Sequence, residues 1–215
     1  MSDQKIMRDY WHKAGAGDKV NWHIAHIDDE EEFFASGIKD VNKIFDNRID
    51  TIKGGSTVLD IGCGKGRLAR ALAEVRPDVR IYGVDVAPSM IQSAMKVNSD
   101  IVNLSFCVGD GLSLSVFPNE VFDVVYSYIV FQHLPRHITA QYIADAARVL
   151  KPKGRLIFQV QGNEQAMAID PPWDNFRKIR YYTEEQAKAL VPASLSIVRT
   201  RGKGEHDFFI EAIKS

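Results

Sequence analysis

The sequence predicts an α/β fold, in which a mostly parallel β-sheet is covered by helices on both faces and ends in an antiparallel hairpin. Two observations carry this prediction. From Thr57 onward, short β-branched runs alternate with segments of helical period, and strands separated by helices need crossover connections that make them parallel. Near the end of the chain, two apolar runs at 194–200 and 207–213 are separated by only a few residues, which indicates an antiparallel hairpin.

Length and composition are typical of one large domain. The chain has 215 residues, of which 45% are hydrophobic and 26% are charged, and this is enough for a sizeable core. No repeat or linker divides it, so we expect a single domain over 1–215, with an N-terminal arm at 1–53 and a body at 54–215. The net charge of −1 lacks the basic excess of proteins that bind nucleic acid or anionic membranes.

The chain shows no run of about 18 apolar residues and no N-terminal secretory signal, so we expect a cytoplasmic protein. Its two cysteines, Cys63 and Cys107, fall in segments predicted as different elements of the sheet, and we expect reduced, structural thiols. The pair His23 and His26 is below the usual number of ligands for zinc, so we expect no metal.

The N-terminal arm is rich in aromatic residues. Its second half, from Glu31 to Ile52, has apolar residues close to helical spacing, which predicts one amphipathic helix leading into the body. The arm could be a lid whose tryptophans exclude water from a ligand, or it could pack on the sheet as ordinary hydrophobic area. The sequence leaves both interpretations open.

A glycine-rich turn between a predicted strand and a predicted helix is the most informative stretch, with the sequence VLDIGCGKGRLA at 58–69. Glycines permit positive φ and let a ligand approach the backbone, and the helix that follows offers unpaired N–H groups. Such a turn favours a nucleotide-like ligand. A dinucleotide fingerprint needs a third glycine or alanine where this sequence has Arg67.

Three acidic residues are predicted at the same edge of the sheet. Asp60 ends the first strand, Asp85 ends the second, and Asp110 follows the third. Asp85 comes 85 − 62 = 23 residues after Gly62, near the spacing at which an acidic side chain meets a ribose diol. S-adenosylmethionine carries no phosphate but has an ammonium, a sulfonium and an adenine amino group. The three carboxylates therefore favour it over a dinucleotide.

These residues lie in five motifs that together resemble the class I S-adenosylmethionine-dependent methyltransferases. The motifs follow one another in the family's order: LDIGCGKG at 59–66, GVDVAPSM at 83–90, VGDG at 108–111, FDVVYS at 122–127 and LKPKGRL at 150–156. The resemblance implies one Rossmann-like domain, with a seven-stranded, mostly parallel sheet, a C-terminal antiparallel hairpin and an N-terminal helical lid.

The resemblance also implies roles for single residues. Asp60 would hold the methionine moiety together with the glycine-turn backbone, Asp85 would accept both ribose hydroxyls, and Asp110 would accept from the adenine amino group. Met90 and Gly111 would line the purine slot. The expected cofactor-binding residues are Asp60, Gly62, Cys63, Gly64, Arg67, Asp85, Val86, Met90, Asp110, Gly111, Ser127 and Tyr128.

Candidates for the acceptor side come from two other segments. His133 follows the fourth predicted strand, and a neutral imidazole is a natural general base near pH 7. Members of the family often carry histidine here whatever their substrate, which suggests an architectural or cofactor-side role instead. Trp173 lies on a proline-containing loop that could wall an acceptor pocket or be an ordinary surface loop. The candidate lid and substrate residues are Tyr10, Trp11, Trp22, His26 and Trp173.

The function we expect is transfer of a methyl group from S-adenosylmethionine to a small-molecule acceptor, with no nucleic acid or membrane partner. Alignment and water exclusion can supply much of this acceleration, so no catalytic triad is required. Two alternatives stay open: a non-catalytic protein that binds S-adenosylmethionine, and an NAD(P)-dependent oxidoreductase, which would share the glycine turn and Asp85 but has no special need for Asp110.

Overall fold

A computed structural model describes residues 3–17, 21, 25–165, 179–202 and 206–215. The chain divides into two compact units, Met1–Gly111 and Leu112–Ser215. The expectation that residues 1–215 form a single domain, with an arm at 1–53, stays a prediction. Within the described residues, no helix is both long enough and apolar enough to cross a membrane.

The first unit contains a three-stranded parallel sheet in which β2 lies between β1 and β3. Residue Thr57 pairs with Arg80, and Ile81 pairs with Leu104. All five residues of β1 are buried, as expected for a parallel strand covered on both faces. The strands are β1 (Thr57–Ile61), β2 (Arg80–Asp85) and β3 (Leu104–Val108). The helices are α1 (Asp3–Gly15), α2 (Glu30–Ala35), α3 (Gly37–Phe45), α4 (Arg67–Val75) and α5 (Pro88–Val97), with a 3₁₀ turn at Ile49–Thr51.

The second unit contains a mixed sheet. Strand β5 pairs in parallel with β4 and with the end strand β6, and β8 runs antiparallel between β5 and β7. The strands are β4 (Phe122–Ser127), β5 (Leu150–Gly162), β6 (Tyr181–Tyr182), β7 (Leu195–Arg201) and β8 (Phe208–Lys214). The helices are α6 (Arg136–Val149) and α7 (Glu184–Lys188), with a 3₁₀ turn at Phe131–His133.

The predicted α/β class is confirmed, as are the parallel crossover strands and the antiparallel hairpin of β7 and β8. The described residues contain eight strands where seven were expected. The additional strand is β6, in which two residues pair with Gln161 and Gly162 at the end of β5.

The single helix predicted from Glu31 to Ile52 is wrong, because the segment contains two helices and a 3₁₀ turn. The break lies at Ser36 and Gly37. A Cβ on Gly37 would lie 2.6 Å from the carbonyl oxygen of Arg67, so only glycine lets α3 approach α4 this closely. Helix α3 then ends at Phe45 and is capped by Asp46, whose φ of 54° is left-handed. The spacing of apolar residues correctly indicated helix in this segment, but it does not indicate where one helix ends and the next begins.

Candidate functional site

The glycine turn after β1 folds back onto the end of β2. Gly62, Gly64 and Gly66 have φ values of 76°, 53° and 84°, which side chains rarely adopt. The backbone N–H of Gly62 donates to the carbonyl of Val84 at 2.8 Å. A Cβ on Gly66 would lie 2.5 Å from Cζ of Phe106. This turn is therefore shaped by its hydrogen bond to β2 and by close packing against the Phe106 ring.

Asp85, at the end of β2, is bonded to the glycine turn. Its Oδ2 accepts from the backbone N–H of Gly64 at 3.0 Å, and its Oδ1 accepts from the N–H of Ala87 at 2.9 Å. Desolvation raises the pKa of Asp85 above its ordinary value, and the hydrogen bonds from backbone N–H groups oppose that rise. A carboxylate has about four acceptor positions, so acceptor capacity remains for further donors.

Asp60 is buried in β1, beside the same turn. Burial raises the pKa of the Cys63 thiol, and the negative charges of Asp85 and Asp60 raise it further. Both cysteines, Cys63 and Cys107, are free thiols, in agreement with the sequence. Asp60 and Asp85 thus both lie close enough to Cys63, in the glycine turn, to influence its pKa. A raised pKa favours the thiol over the more nucleophilic thiolate.

The loop after β3, which carries Asp110 and Gly111, is covered by α1. Gln4 Nε2 donates to the carbonyl of Asp110 at 2.6 Å. Gly111 has a φ of 79°, and a Cβ there would lie 2.6 Å from Cγ2 of Val86 and 2.8 Å from Cε of Met7, which is buried. The residues expected to line the purine slot are thus in contact with the arm.

Helix α1 also packs on the first turn of α5. Ser89 Oγ donates to the carbonyl of His12 at 2.7 Å, and the Ser89 N–H donates to Nδ1 of His12 at 3.2 Å. A Cβ on Gly15 would lie 2.9 Å from Cγ of Met90, another expected purine-slot residue. Of the described arm, α1 therefore covers the Met90 and Gly111 side of the predicted cofactor site.

Lys65, in the middle of the glycine turn, binds the arm and was missed by the sequence argument. Its Nζ donates to Asn21 Oδ1 at 2.9 Å and to Glu30 Oε2 at 3.2 Å, and only 4% of its side chain is exposed. The same ammonium lies 5.6 Å from the centre of the Phe33 ring. The sequence contained a signal for this contact. Lys65 is flanked by two glycines in a buried motif, and an acidic, aromatic run lies earlier in the chain.

Arg67 begins α4 and also binds the arm. Its guanidinium lies 2.7 Å from Asp40 Oδ2 and donates to Ser36 Oγ at 2.9 Å. The guanidinium of Arg67, which the sequence predicted to bind the cofactor, thus pairs with a side chain of α3.

The structure brings some predicted arm residues together and leaves others undescribed. Tyr10 and Trp11 are half-buried and meet edge to face, with ring centroids 5.1 Å apart. His26 is exposed with a φ of 56°. Trp22 and Trp173 lie outside the described residues. The arm residues seen to reach expected cofactor-binding segments are instead Gln4, Met7, His12 and Gly15.

In the second unit, the end of β4 carries the predicted residues Ser127 and Tyr128. Ser127 is buried. The Tyr128 ring stacks on Phe209 at 5.8 Å, and its hydroxyl lies 3.5 Å from Asp207 Oδ2. The next residue, Ile129, has a φ of 59°, which is strained for a β-branched side chain.

His133 ends the 3₁₀ turn and contacts a buried group of glutamines. Gln132 Nε2 lies 3.2 Å from His133 Nε2, and Gln132 Oε1 accepts from Gln161 Nε2 at 2.9 Å. Gln159 is fully buried beside them, and Arg180 donates to the His133 carbonyl at 3.1 Å. The sequence argument missed the glutamines. Their alternation with apolar residues in β5 placed Gln159 and Gln161 on one face of the strand, and that was a usable signal.

Among the described residues, no three His, Cys, Asp or Glu side chains are grouped as a metal site would require.

Comparison with known proteins gives three results. Residues 58–154 match a family model described as a methyltransferase domain. The chain is 32% identical over 160 residues to the 2-methyl-6-phytyl-1,4-hydroquinone methyltransferase of Synechocystis sp., which covers 73% of this chain and 47% of that protein. It is 28% identical over 169 residues to the tRNA N(3)-methylcytidine methyltransferase of Schizosaccharomyces pombe, which covers 74% of this chain and 66% of that protein.

The chain therefore spans about half to two thirds of the length of these curated relatives. Among solved structures, the magnesium protoporphyrin IX methyltransferase of Synechocystis with bound SAH aligns over 100% of both chains, with a TM-score of 0.71 and 21% identity. At that identity the likeness shows the fold, and it confirms the expected sheet and hairpin.

Proposed function

Because the chain belongs to the class I S-adenosylmethionine-dependent methyltransferases, we propose that it transfers the methyl group of S-adenosylmethionine to a small-molecule acceptor and releases S-adenosylhomocysteine. The observation that carries the proposal is the Asp85 carboxylate, which accepts a hydrogen bond from the Gly64 N–H of the glycine turn. When bound, S-adenosylmethionine supplies a methyl carbon that its sulfonium has already activated.

This hydrogen bond favours a cofactor without phosphate. In a dinucleotide site, the glycine-turn N–H groups serve the pyrophosphate. Here the N–H of Gly64 donates to the Asp85 carboxylate, which leaves it unavailable to a pyrophosphate. The third glycine of the dinucleotide fingerprint is replaced by Arg67, which pairs with Asp40. Both features support the methyl donor over NAD(P).

The residues present fit the proposed cofactor. Asp85 keeps acceptor capacity for the ribose hydroxyls, and Asp60 adds a second buried carboxylate beside the turn, which suits a ligand with an ammonium and a sulfonium. We propose Asp110 for the adenine amino group, with Met90 and Gly111 on the purine. The remaining expected contacts of the cofactor, which stay predictions, are Gly62, Cys63, Gly64, Arg67, Val86, Ser127 and Tyr128.

The arm acts in this proposal as a lid on the cofactor end. Met7 and Gln4 contact the segment of Asp110 and Gly111, and Gly15 and His12 contact Ser89 and Met90. These contacts would exclude water from the adenine, which is the lid interpretation left open by the sequence. The contributions of Tyr10, Trp11, Trp22 and His26 to the lid, and of Trp173 to an acceptor pocket, stay predictions.

The class of acceptor is part of the proposal. A small molecule is favoured by the net charge of −1 and by the hydroquinone named for the Synechocystis relative. A relative named for tRNA keeps nucleic acid as the alternative. We also propose a cytoplasmic location and no membrane partner. His133 is the proposed participant from the second unit.

Calorimetry with S-adenosylmethionine, S-adenosylhomocysteine and NAD tests the cofactor. We expect the first two to bind and NAD not to bind. Asp85→Ala should weaken binding of S-adenosylhomocysteine by about 1–3 kcal/mol, or roughly 5- to 150-fold, because the ribose hydroxyls lose their acceptor. Asp100→Ala, which removes an exposed carboxylate from the same unit, is the control and should leave affinity unchanged.

Transfer itself is tested with S-adenosylmethionine labelled on its methyl group and a panel of small acids, phenols and amines, with tRNA as a further arm. Label in a small product supports the proposal, whereas label in tRNA alone would replace the acceptor class. Tight NAD binding without a response to S-adenosylmethionine would reject methyl transfer. Cofactor binding with no labelled product across the whole panel would favour a non-catalytic binding protein.

A further inference from the structure

Four polar side chains in the second unit form a buried chain that ends at His133. They come from three separate segments: the 3₁₀ turn after β4, strand β5, and the residue before β8. Gln159 is fully buried and Gln132 is 4% exposed. The chain runs from Asp207 through Gln159 and Gln132 to His133. Buried polar groups of this kind have to satisfy one another, so each hydrogen bond constrains the next.

The amide of Gln159 has one possible orientation. Its Oε1 accepts from the backbone N–H of Ile129 at 3.0 Å, and a backbone N–H can only donate. Its Nε2 donates to Asp207 Oδ1 at 3.1 Å, and a carboxylate can only accept. Reversing the amide would break both hydrogen bonds at once. Gln159 therefore presents an N–H to Gln132.

The orientation of Gln132 follows from that of Gln159. Gln132 Oε1 accepts from Gln159 Nε2 at 3.4 Å and from Gln161 Nε2 at 2.9 Å. Its Nε2 consequently faces His133 Nε2 at 3.2 Å. An amide nitrogen cannot accept a hydrogen bond, so the His133 Nε2 must accept and must carry no proton. A neutral imidazole with an unprotonated Nε2 carries its proton on Nδ1.

We propose that Asp207, Gln159 and Gln132 are positioning residues that hold His133 as the neutral Nδ1–H tautomer. The significance of this tautomer rests on the proposed function, because it gives His133 a role in methyl transfer other than the general base that the sequence suggested. The Nε2 lone pair is used by Gln132, and Nδ1 holds a proton. Any contact that His133 makes through Nδ1 is then a donated hydrogen bond, which orients an acceptor oxygen or stabilises negative charge on it.

The consequence for methyl transfer is that His133 does not take a proton from the acceptor. The attacking atom has to reach the methyl carbon with its lone pair available, and His133 helps by orientation. To act as a base, His133 would have to move its Nε2 away from Gln132. The Gln132 amide N–H would then lose its acceptor inside a buried cluster.

The test is the protonation state of the His133 ring in the whole 215-residue chain, measured without cofactor or acceptor. Long-range ¹H–¹⁵N correlation spectra of ¹⁵N-labelled protein near pH 7.5 distinguish the two neutral tautomers and the imidazolium. Through-bond connection to the assigned backbone, checked with His133→Gln, identifies the ring among the six histidines. We expect the wild-type protein to show a protonated Nδ1 and an unprotonated Nε2. A protonated Nε2 would overturn the proposal.

Gln132→Glu tests the cause. A glutamate still accepts from Gln159 and Gln161, but it presents an acceptor to His133, so Nε2 should gain a proton. Gln186→Glu is the matched control, because Gln186 Oε1 already accepts from the Thr183 N–H in the cap of α7, and a glutamate keeps that bond. The control should leave the His133 ring unchanged.

An Nε2 that stays unprotonated in Gln132→Glu would refute the role of Gln132, and the wild-type spectrum decides the tautomer even if that variant does not fold. Failure of methyl transfer in the labelled-product assay would leave these spectra unaffected. The two proposals therefore fail separately.

Discussion

The two units of the chain hold their polar groups in different ways. In the first unit, Asp85 is fixed by backbone N–H groups of the glycine turn and of the residue before α5. In the second unit, His133 contacts the side-chain amide of its neighbour Gln132, and that amide is bonded to Gln159 and through it to Asp207, which come from segments far apart in the chain. The first arrangement depends on φ values and close packing, whereas the second depends on every member of a hydrogen-bond chain.

This difference determines how each unit should respond to substitution. A backbone-held site is damaged by any side chain that the turn cannot accommodate, and it tolerates changes of charge around it. A site held by buried amides tolerates backbone change where the N–H groups are kept, and it is sensitive to exchange of a donor for an acceptor. Four substitutions, argued from the largest expected effect to the smallest, test whether this contrast holds.

Gly66→Ala should have the largest effect. Alanine at this position would have to adopt a left-handed φ of 84°, and its methyl group would lie 2.5 Å from the Phe106 ring. Strain and overpacking together should lower the free energy of unfolding by about 2–4 kcal/mol. Gly55→Ala is the control, because Gly55 has a φ of 79° with nothing within 4 Å of the added Cβ. Denaturant titration should show a loss of about 1 kcal/mol for the control. Equal losses would mean that packing against Phe106 does not shape the turn.

The contrast also explains how much could be predicted from sequence. The glycine turn and Asp85 could be predicted because each lies in a short contiguous motif at the end of a strand, β1 for the turn and β2 for Asp85. The glutamine chain could not be predicted in the same way, since Gln132, Gln159 and Asp207 come together only through β4, β5 and β8 pairing. The break at Ser36 and Gly37 escaped for a related reason, because the close approach of Gly37 to α4 is a tertiary contact, which apolar spacing does not encode.

Lys65→Met should loosen the arm without disturbing the sheet. Methionine keeps the apolar stem but removes the ammonium that binds Asn21 and Glu30, so we expect the free energy required to open residues 30–45 to fall by about 1–2 kcal/mol. Hydrogen exchange in α2 and α3 should accelerate by roughly 5- to 30-fold while exchange in β1 stays unchanged. Lys53→Met, at an exposed lysine, is the control. Unchanged exchange in α2 and α3 would show that Lys65 does not hold the arm.

Asp85→Asn should change how stability depends on pH, with a smaller effect because backbone hydrogen bonds oppose the desolvation of Asp85. The pKa of Asp85 is raised in the folded state, so the folded protein binds the proton first and gains stability as pH falls between the folded and unfolded pKa values. The variant should lack this gain.

Asp78→Asn is the control of opposite sign. The Arg76 hydrogen bond lowers the pKa of Asp78, so its contribution to stability is present above the unfolded pKa and is lost as pH falls through the folded pKa. Urea titrations of the three proteins across the acidic range measure both slopes. If Asp85→Asn and Asp78→Asn changed the slope in the same direction, burial of Asp85 would not be the cause.

Ile129→Gly should have the smallest effect, and it tests the second unit. Glycine relieves the left-handed φ of 59°, worth about 1–2 kcal/mol, but it loses backbone entropy and the packing of a half-buried side chain, so the net change should stay within about 1 kcal/mol. The N–H that donates to Gln159 is kept, so the His133 tautomer should also be kept. Val130→Gly, at a residue with a φ of −113°, has no such strain to relieve and should cost about 1–2 kcal/mol. Equal losses in the two variants would mean that Ile129 is not strained, and a changed tautomer in Ile129→Gly would mean that backbone conformation, and not the amide chain alone, holds His133.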